Sequence, residues 1–224
     1  IFDEAFSTGV LTDVERELLT ITALTAMQTL PQLQAHVGAA LNIGASPLQL
    51  RETIYQCAPY IGFPKTLNAI DIANGVFEAN GISLPLENAG TVDATDPSAR
   101  EQAGAAIQAP LYGNEVKEVF SALPTPFDEF VPHLLTSSAF GDFATRGGLD
   151  VAQRELISLV AIAAIGATTQ LRPHVAGAIR AGSSRQKVAA ALVHVMPYIG
   201  GPYALSGLVL VARYDESASA EAYR

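Results

Sequence analysis

Two histidines in this chain sit in matching surroundings. His36 lies in Gln32-Leu33-Gln34-Ala35-His36-Val37 and His174 in Gln170-Leu171-Arg172-Pro173-His174-Val175. Each follows a glutamate, Glu17 or Glu155, by 19 residues. A carboxylate beside an imidazole fixes its tautomer and tunes its basicity near neutral pH, which equips the pair for proton transfer. A histidine on an apolar helix also serves as a satisfied core or interface residue, and on these residues alone the two readings stand level. The polar residues shared by both surroundings are few: Arg16 and Arg154, Gln32 and Gln170, and Tyr60 and Tyr198. The tyrosines and glutamines are candidate substrate contacts. The arginines suit surface or inter-repeat ion pairs.

The elements that must position these residues form a duplication. Residues 11–67 align without a gap to residues 149–205, with 19 identities in 57 positions. Chance at ordinary residue frequencies gives only a few, so the chain holds two copies of one unit. Thr12-Asp13-Val14-Glu15 has the form of a capping box, and Asp150 caps at the equivalent place. From there a helix runs to about Gln28, a second covers roughly 32–43 and stops at Gly44, and Ser46-Pro47 opens a third. Pro59 loosens its last turn, Gly62 stops it, and Pro64 opens a fourth helix to about Asn80. The second copy repeats this order over 151–166, 169–181, 184–199 and 203–214. The expected fold class is therefore all-α, with two tandem helical units related by a pseudo-twofold axis. The divisions are 1–80 for the first repeat with its short lead over 1–10, 81–113 for a polar, turn-rich connection, and 114–224 for the second repeat with preceding helices over 114–123 and 127–143.

Composition excludes several functions. Of 224 residues, 49% are hydrophobic and 16% charged, with no Trp, which implies a large aliphatic core of closely packed helices. The net charge of −9 comes with no basic cluster, so nucleic acid and anionic membrane surfaces are poor partners. The apolar run 156–167 is too short to span a bilayer. Cys57 is the single cysteine and reads as a small buried hydrophobe; it forbids an internal disulfide or a Cys-x-x-Cys pair. Neither copy has metal-ligand spacing, so no metal is expected. There is no glycine-rich phosphate loop and no nucleophile elbow. The expected location is cytoplasmic, although the chain starts at Ile1 rather than Met.

Taken together, Arg154-Glu155-Leu156-Ile157, Leu171-Arg172-Pro173-His174-Val175, Ala178-Ile179-Arg180-Ala181-Gly182 and Val193-His194-Val195-Met196-Pro197-Tyr198-Ile199-Gly200-Gly201-Pro202 resemble the carboxymuconolactone decarboxylase family, which includes alkylhydroperoxidase D-like proteins. Residues 16–19, 33–44 and 59–67 carry the same pattern. The peroxidase branch places a Cys-x-x-Cys before the histidine. Those positions are Thr29 and Gln32 in one copy and Ala167 and Gln170 in the other, so peroxidase chemistry lacks its thiols. The resemblance implies cofactor-free decarboxylation of a small lactone or carboxylic acid, with His174 or His36 moving the proton and Glu155 or Glu17 orienting it. Arg172 would pair with a substrate carboxylate, and His194 would accompany it. Since Gln34 and Gln56 replace these two in the first copy, the second copy is the expected working one. The alternatives are a non-catalytic helical oligomer that binds a small molecule and, more weakly, a lactone hydrolase. The resemblance further implies a homo-oligomeric ring, with a two-repeat chain forming a trimer.

Overall fold

The computed structural model describes residues 8–215 and Glu4; part of the expected lead over 1–10 lies outside the described residues. All regular elements among the described residues are helical. The chain divides into two compact units. One is built from residues up to Glu87 together with Gly148–Tyr214, and the other from Asn88–Gly147.

The first unit contains both repeats. Its helices are α1 (Asp13–Met27), α2 (Leu30–Asn42), α3 (Pro47–Ile61) and α4 (Phe63–Ala79), then, after the second unit, α8 (Val151–Ala164), α9 (Thr168–Arg180), α10 (Arg185–Ile199) and α11 (Gly201–Ala212). The expected caps form. The Thr12 hydroxyl accepts from the Glu15 N–H while the Glu15 carboxylate accepts from the Thr12 N–H, and Asp150 with Gln153 repeats the box on α8. Ser46 with Gln49 forms a third box on α3, and the Ser184 hydroxyl accepts from the Lys187 N–H at the start of α10. Pro59 and Pro197 stand inside α3 and α10 just before Tyr60 and Tyr198. Each helix then stops at a glycine of positive φ, Gly62 at 87° and Gly200 at 91°, a conformation side chains resist.

The helices α1 and α8 pack against each other at the centre, where every residue over Leu18–Ala26 and over Arg154–Ala164 is buried. Ile21, Ala23, Leu159, Val160 and Ala161 are wholly buried there. Contacts then obey a twofold rule: α3 of the first repeat packs on α8 of the second, and α10 of the second packs on α1 of the first. The two copies are thus interlocked. Turns vary within this plan. Gln28 ends α1 with a left-handed φ of 57°, held by its side chain donating to the Thr25 and Lys65 carbonyls, where the second copy simply uses Gly166.

The second unit carries the helices expected over 114–123 and 127–143, but the connection expected to be turn-rich over 81–113 is helical from Pro97 to Tyr112. It holds a 16-residue helix, α5 (Pro97–Tyr112), then α6 (Glu115–Phe120), α7 (Phe127–Leu134) and a π-helical stretch over Leu135–Ala144. The polar stretch 91–98 is the cap of α5, not an extended linker: the Asp96 carboxylate accepts from the Ser98 and Ala99 N–H groups and Pro97 takes the first helical position. The alanine-rich 99–109 then propagates the helix. Gly104 and Gly141 let α5 and the π-helical stretch touch backbone to backbone, since a Cβ at either would lie 2.1 or 2.3 Å from a carbonyl oxygen.

Two substitutions test this account of the helices. Asp150→Ala removes the α8 cap and is expected to lower stability by about 1 kcal/mol. Gly38→Ala, mid-α2 with open space around its Cβ, is expected to raise it by roughly 0.5–1 kcal/mol. Urea denaturation measures both.

Candidate active site

Glu17 stands one turn into α1 and His36 midway along α2. The two helices form a hairpin that turns through Gln28 and Thr29, so residues 19 apart face one another. The His36 Nδ1 lies 2.9 Å from a Glu17 carboxylate oxygen, and both side chains are partly exposed. A carboxylate only accepts, so Nδ1 carries the proton and donates. The neutral ring then presents the Nε2 lone pair as a base, and the protonated ring presents Nε2–H as an acid.

The rest of this site comes from the other repeat. Tyr198 of α10 packs edge-on against His36 with ring centroids 5.6 Å apart, and its hydroxyl interacts with Thr20 of α1. Burial pushes the Tyr198 hydroxyl above its ordinary range, with the nearby Glu17 charge adding to the effect. Beside Tyr198 lies the wholly buried His194, whose Nε2 is 2.9 Å from both the Arg16 main-chain carbonyl and the Thr20 hydroxyl. The carbonyl only accepts, so His194 is the Nε2–H tautomer. Burial lowers its pKa to about 4, which keeps it neutral. His194 therefore does not accompany His174, as the sequence suggested. Helix α10 crosses to α1 and carries it to the first-repeat pair.

The second pair is looser and deeper. The His174 Nδ1 is 3.6 Å from Glu155, and the Glu155 side chain is only 3% exposed. Tyr60, from the first repeat, packs edge-on against His174 at 5.3 Å. Its hydroxyl is pushed up by burial and by the Glu155 charge. In place of His194 stands Gln56, which donates to Ser158 at 3.1 Å and accepts from the Arg154 guanidinium at 3.0 Å. Arg154 is 1% exposed and pairs with the buried Glu52 at 3.5 Å, while Arg51 pairs with the same carboxylate. Its counterpart Arg16 stays nearer the surface, on Asp13 and the Leu11 carbonyl. The expectation of ion pairs at both arginines is met in two ways, one superficial and one buried between repeats.

The remaining candidates lie on the helices that carry the histidines. Gln32 and Gln170 are exposed one turn before His36 and His174, on the same helix faces. Arg172 is exposed two residues before His174, which on a helix is roughly the opposite side, so it does not join the Glu155–His174 pair. Cys57 is fully buried, its thiol donating to the Thr53 carbonyl and its pKa pushed up to about 12 by desolvation. Among the described residues, no group of three or more His, Cys, Asp or Glu is placed to hold a metal ion, and no helix is long and apolar enough to cross a membrane.

The family model described as "Carboxymuconolactone decarboxylase family" matches residues 2–75 and 131–213. Three curated proteins are similar to parts of the chain. Nitrosuccinic acid decarboxylase npaB of Metarhizium robertsii is 29% identical over 110 residues, covering 49% of this chain and 77% of that protein. The 4-carboxymuconolactone decarboxylase of Acinetobacter baylyi is 35% identical over 68 residues, covering 30% of this chain and 51% of that protein. An uncharacterized 15.0 kDa protein of Paracoccus denitrificans is 37% identical over 78 residues, covering 34% and 58%. The chain thus spans only about half of the second relative and under two thirds of the third.

The buried neutral His194 links stability to pH. Its pKa is about 6.5 unfolded and about 4 folded, so the unfolded chain binds the proton more tightly. Its contribution is complete above pH 6.5 and is lost as pH falls toward 4. The loss is on the order of 3 kcal/mol. Urea denaturation of wild type and His194→Gln across this range should show the extra acid sensitivity in wild type only.

Proposed function

The chain belongs to the carboxymuconolactone decarboxylase family, and from that premise we propose that it is a carboxy-lyase working by cofactor-free acid–base chemistry at the Glu17–His36 pair. The observation that carries this choice of pair is the 2.9 Å contact between the Glu17 carboxylate and the His36 Nδ1, with the histidine still partly exposed. The looser, deeper Glu155–His174 pair is assigned the lesser role, which reverses the preference drawn from sequence.

The substrate class is a small acid whose departing CO₂ leaves its electron pair on a carbon next to an electron-withdrawing group. The two named decarboxylase relatives share this chemistry in the compounds of their names: a nitro group in one, a conjugated lactone in the other. The electron sink lies within the substrate, so the protein must supply a proton and hold a developing oxyanion. Cleavage of the carbon–carboxylate bond releases CO₂ and forms an enolate or nitronate. The protonated His36 then delivers its Nε2 proton to that carbon, and the ring regains a proton from solvent. Glu17 keeps the imidazole in register and balances its charge. The partly buried Tyr198 hydroxyl and the exposed Gln32 amide stand on this side of the hairpin as candidate donors to the substrate.

We further propose a homo-oligomer. Exposed apolar side chains recur at pseudo-equivalent places, Met27 with Ile165 and Leu67 with Leu205, the last two 61% and 53% exposed. A small acidic protein leaves such matched patches bare at a cost in solubility, and a self-complementary contact covers them.

Two measurements decide these readings. CO₂ release should be assayed with 4-carboxymuconolactone and nitrosuccinate. His36→Gln is expected to lower kcat by about 10²–10⁴-fold and His174→Gln by less than about tenfold. Ring opening without CO₂ would mean a hydrolase, and an unchanged rate in His36→Gln would remove that residue from the mechanism. Light scattering on a sizing column is expected to give three times the 23.5 kDa of one chain. Leu67→Glu with Leu205→Glu should reduce that mass.

A further inference from the structure

We propose that His194 is the positioning residue of the Glu17–His36 site, a residue of the second repeat that sets the geometry of a catalytic pair in the first. It acts through Thr20 and Tyr198.

The geometry runs in three steps. The His194 Nε2–H reaches the Arg16 carbonyl and the Thr20 hydroxyl, both at 2.9 Å, from a ring that is 1% exposed. This ties α10 to the α1 turn that bears Glu17. Tyr198 stands one turn after His194 on α10, the rings of the two lie 6.0 Å apart, and Thr20 interacts with the Tyr198 hydroxyl as well. The Tyr198 ring then meets His36 edge-on, on a ring whose Nδ1 is engaged by Glu17. The tyrosine therefore restrains the imidazole about its χ2 axis, and His194 restrains the tyrosine.

The second site is an internal comparison. There Gln56 occupies the His194 place and its amide donates to Ser158, the counterpart of Thr20. Its carbonyl also accepts from the buried Arg154, whose charge Glu52 balances. At the first site neither feature exists, because an Nε2–H presents no acceptor there and Ala190 stands at the Glu52 position. The Arg16 guanidinium stays outside with Asp13. The groups facing His194 are Arg16, Glu17 and Thr20 from α1, His36 from α2 and Tyr198 from α10.

The functional consequence rests on the proposed role of Glu17–His36, but the positioning itself is measured without a substrate. Full-length protein labelled with ¹⁵N-histidine gives signals from four histidines, assigned by single His→Gln variants. In wild type, His36 should be the Nδ1–H tautomer and His194 the Nε2–H tautomer at pH 7.5. In His194→Ala, the Nδ1–H population of His36 should fall while His174 keeps its shifts. His194→Gln should restore His36, since Gln56 makes the same donation and Ala190 offers no carboxylate to draw Arg16 inward. If His194→Ala does not fold, Thr20→Val removes the shared hydroxyl with little change in volume and should disturb His36 in the same way. His36 signals unchanged in the folded variant, or His174 shifting as much as His36, would overturn the proposal. Where CO₂ release is found, His194→Ala should lose up to about 100-fold in kcat with KM little changed, and His194→Gln should recover most of it. A chain that shows the tautomer changes and no CO₂ release would refute the lyase reading and leave the positioning standing.

Discussion

The hydrogen bond from the His194 imidazole to the Arg16 main-chain carbonyl crosses from one repeat to the other, and the site depends on crossings of this kind. Helices α1 and α8 are buried on all sides over Leu18–Ala26 and Arg154–Ala164, so each needs a helix on its outer side. The duplication supplies that helix from the other copy. Burying an apolar helix this way yields roughly 25 cal/mol for each Å² removed from water. The exchange is therefore a consequence of core formation first. Its chemical result is that each Glu–His hairpin receives a tyrosine and a second polar residue from the partner repeat.

Having two such places, the chain has let them diverge. A buried guanidinium must be paired and hydrogen-bonded, or the desolvation cost falls on the fold. Arg154 meets that condition because Glu52 and Gln56 both face it. Arg16 has Ala190 and His194 in those places, so burial there would leave its charge unbalanced, and it stays near the surface. Two exchanges on α3 and α10 thus decide where an arginine common to both repeats can go. They leave one site with a buried ionic network and the other with a neutral histidine.

Much of the fold was legible in the sequence because it is written in local chemistry. Capping boxes at Thr12 and Asp150, and stops at Gly62 and Gly200, involve residues a few positions apart. The 138-residue repeat multiplied that information by two. The Glu–His pairing was legible too, because a hairpin of known helix lengths brings residues 19 apart together. What was not legible was which repeat completes which site. His194 follows His174 by 20 residues, and sequence proximity assigned them to one place; the assignment is decided by packing between α1 and α10, which no local spacing records. The helix α5 was missed for a related reason. Its cap, Asp96-Pro97-Ser98, has the same composition as a turn, and the helix behind it is held by the close approach at Gly104 and Gly141 rather than by an apolar stripe.

The helices that carry the two histidines hold no cysteine. At the seventh and fourth positions before each histidine, this chain has Thr29 and Gln32 in one copy and Ala167 and Gln170 in the other. Its one cysteine, Cys57, is buried on α3 with its thiol held protonated, out of reach of a disulfide or peroxide. A carboxylate paired with an imidazole is suited to moving protons, and its geometry bears on how well. A hydrogen bond of 2.9 Å joins His36 to Glu17, whereas the His174 Nδ1 stands 3.6 Å from Glu155. The difference between the two pairs is small in distance, yet it bears on the one property an acid–base pair must control.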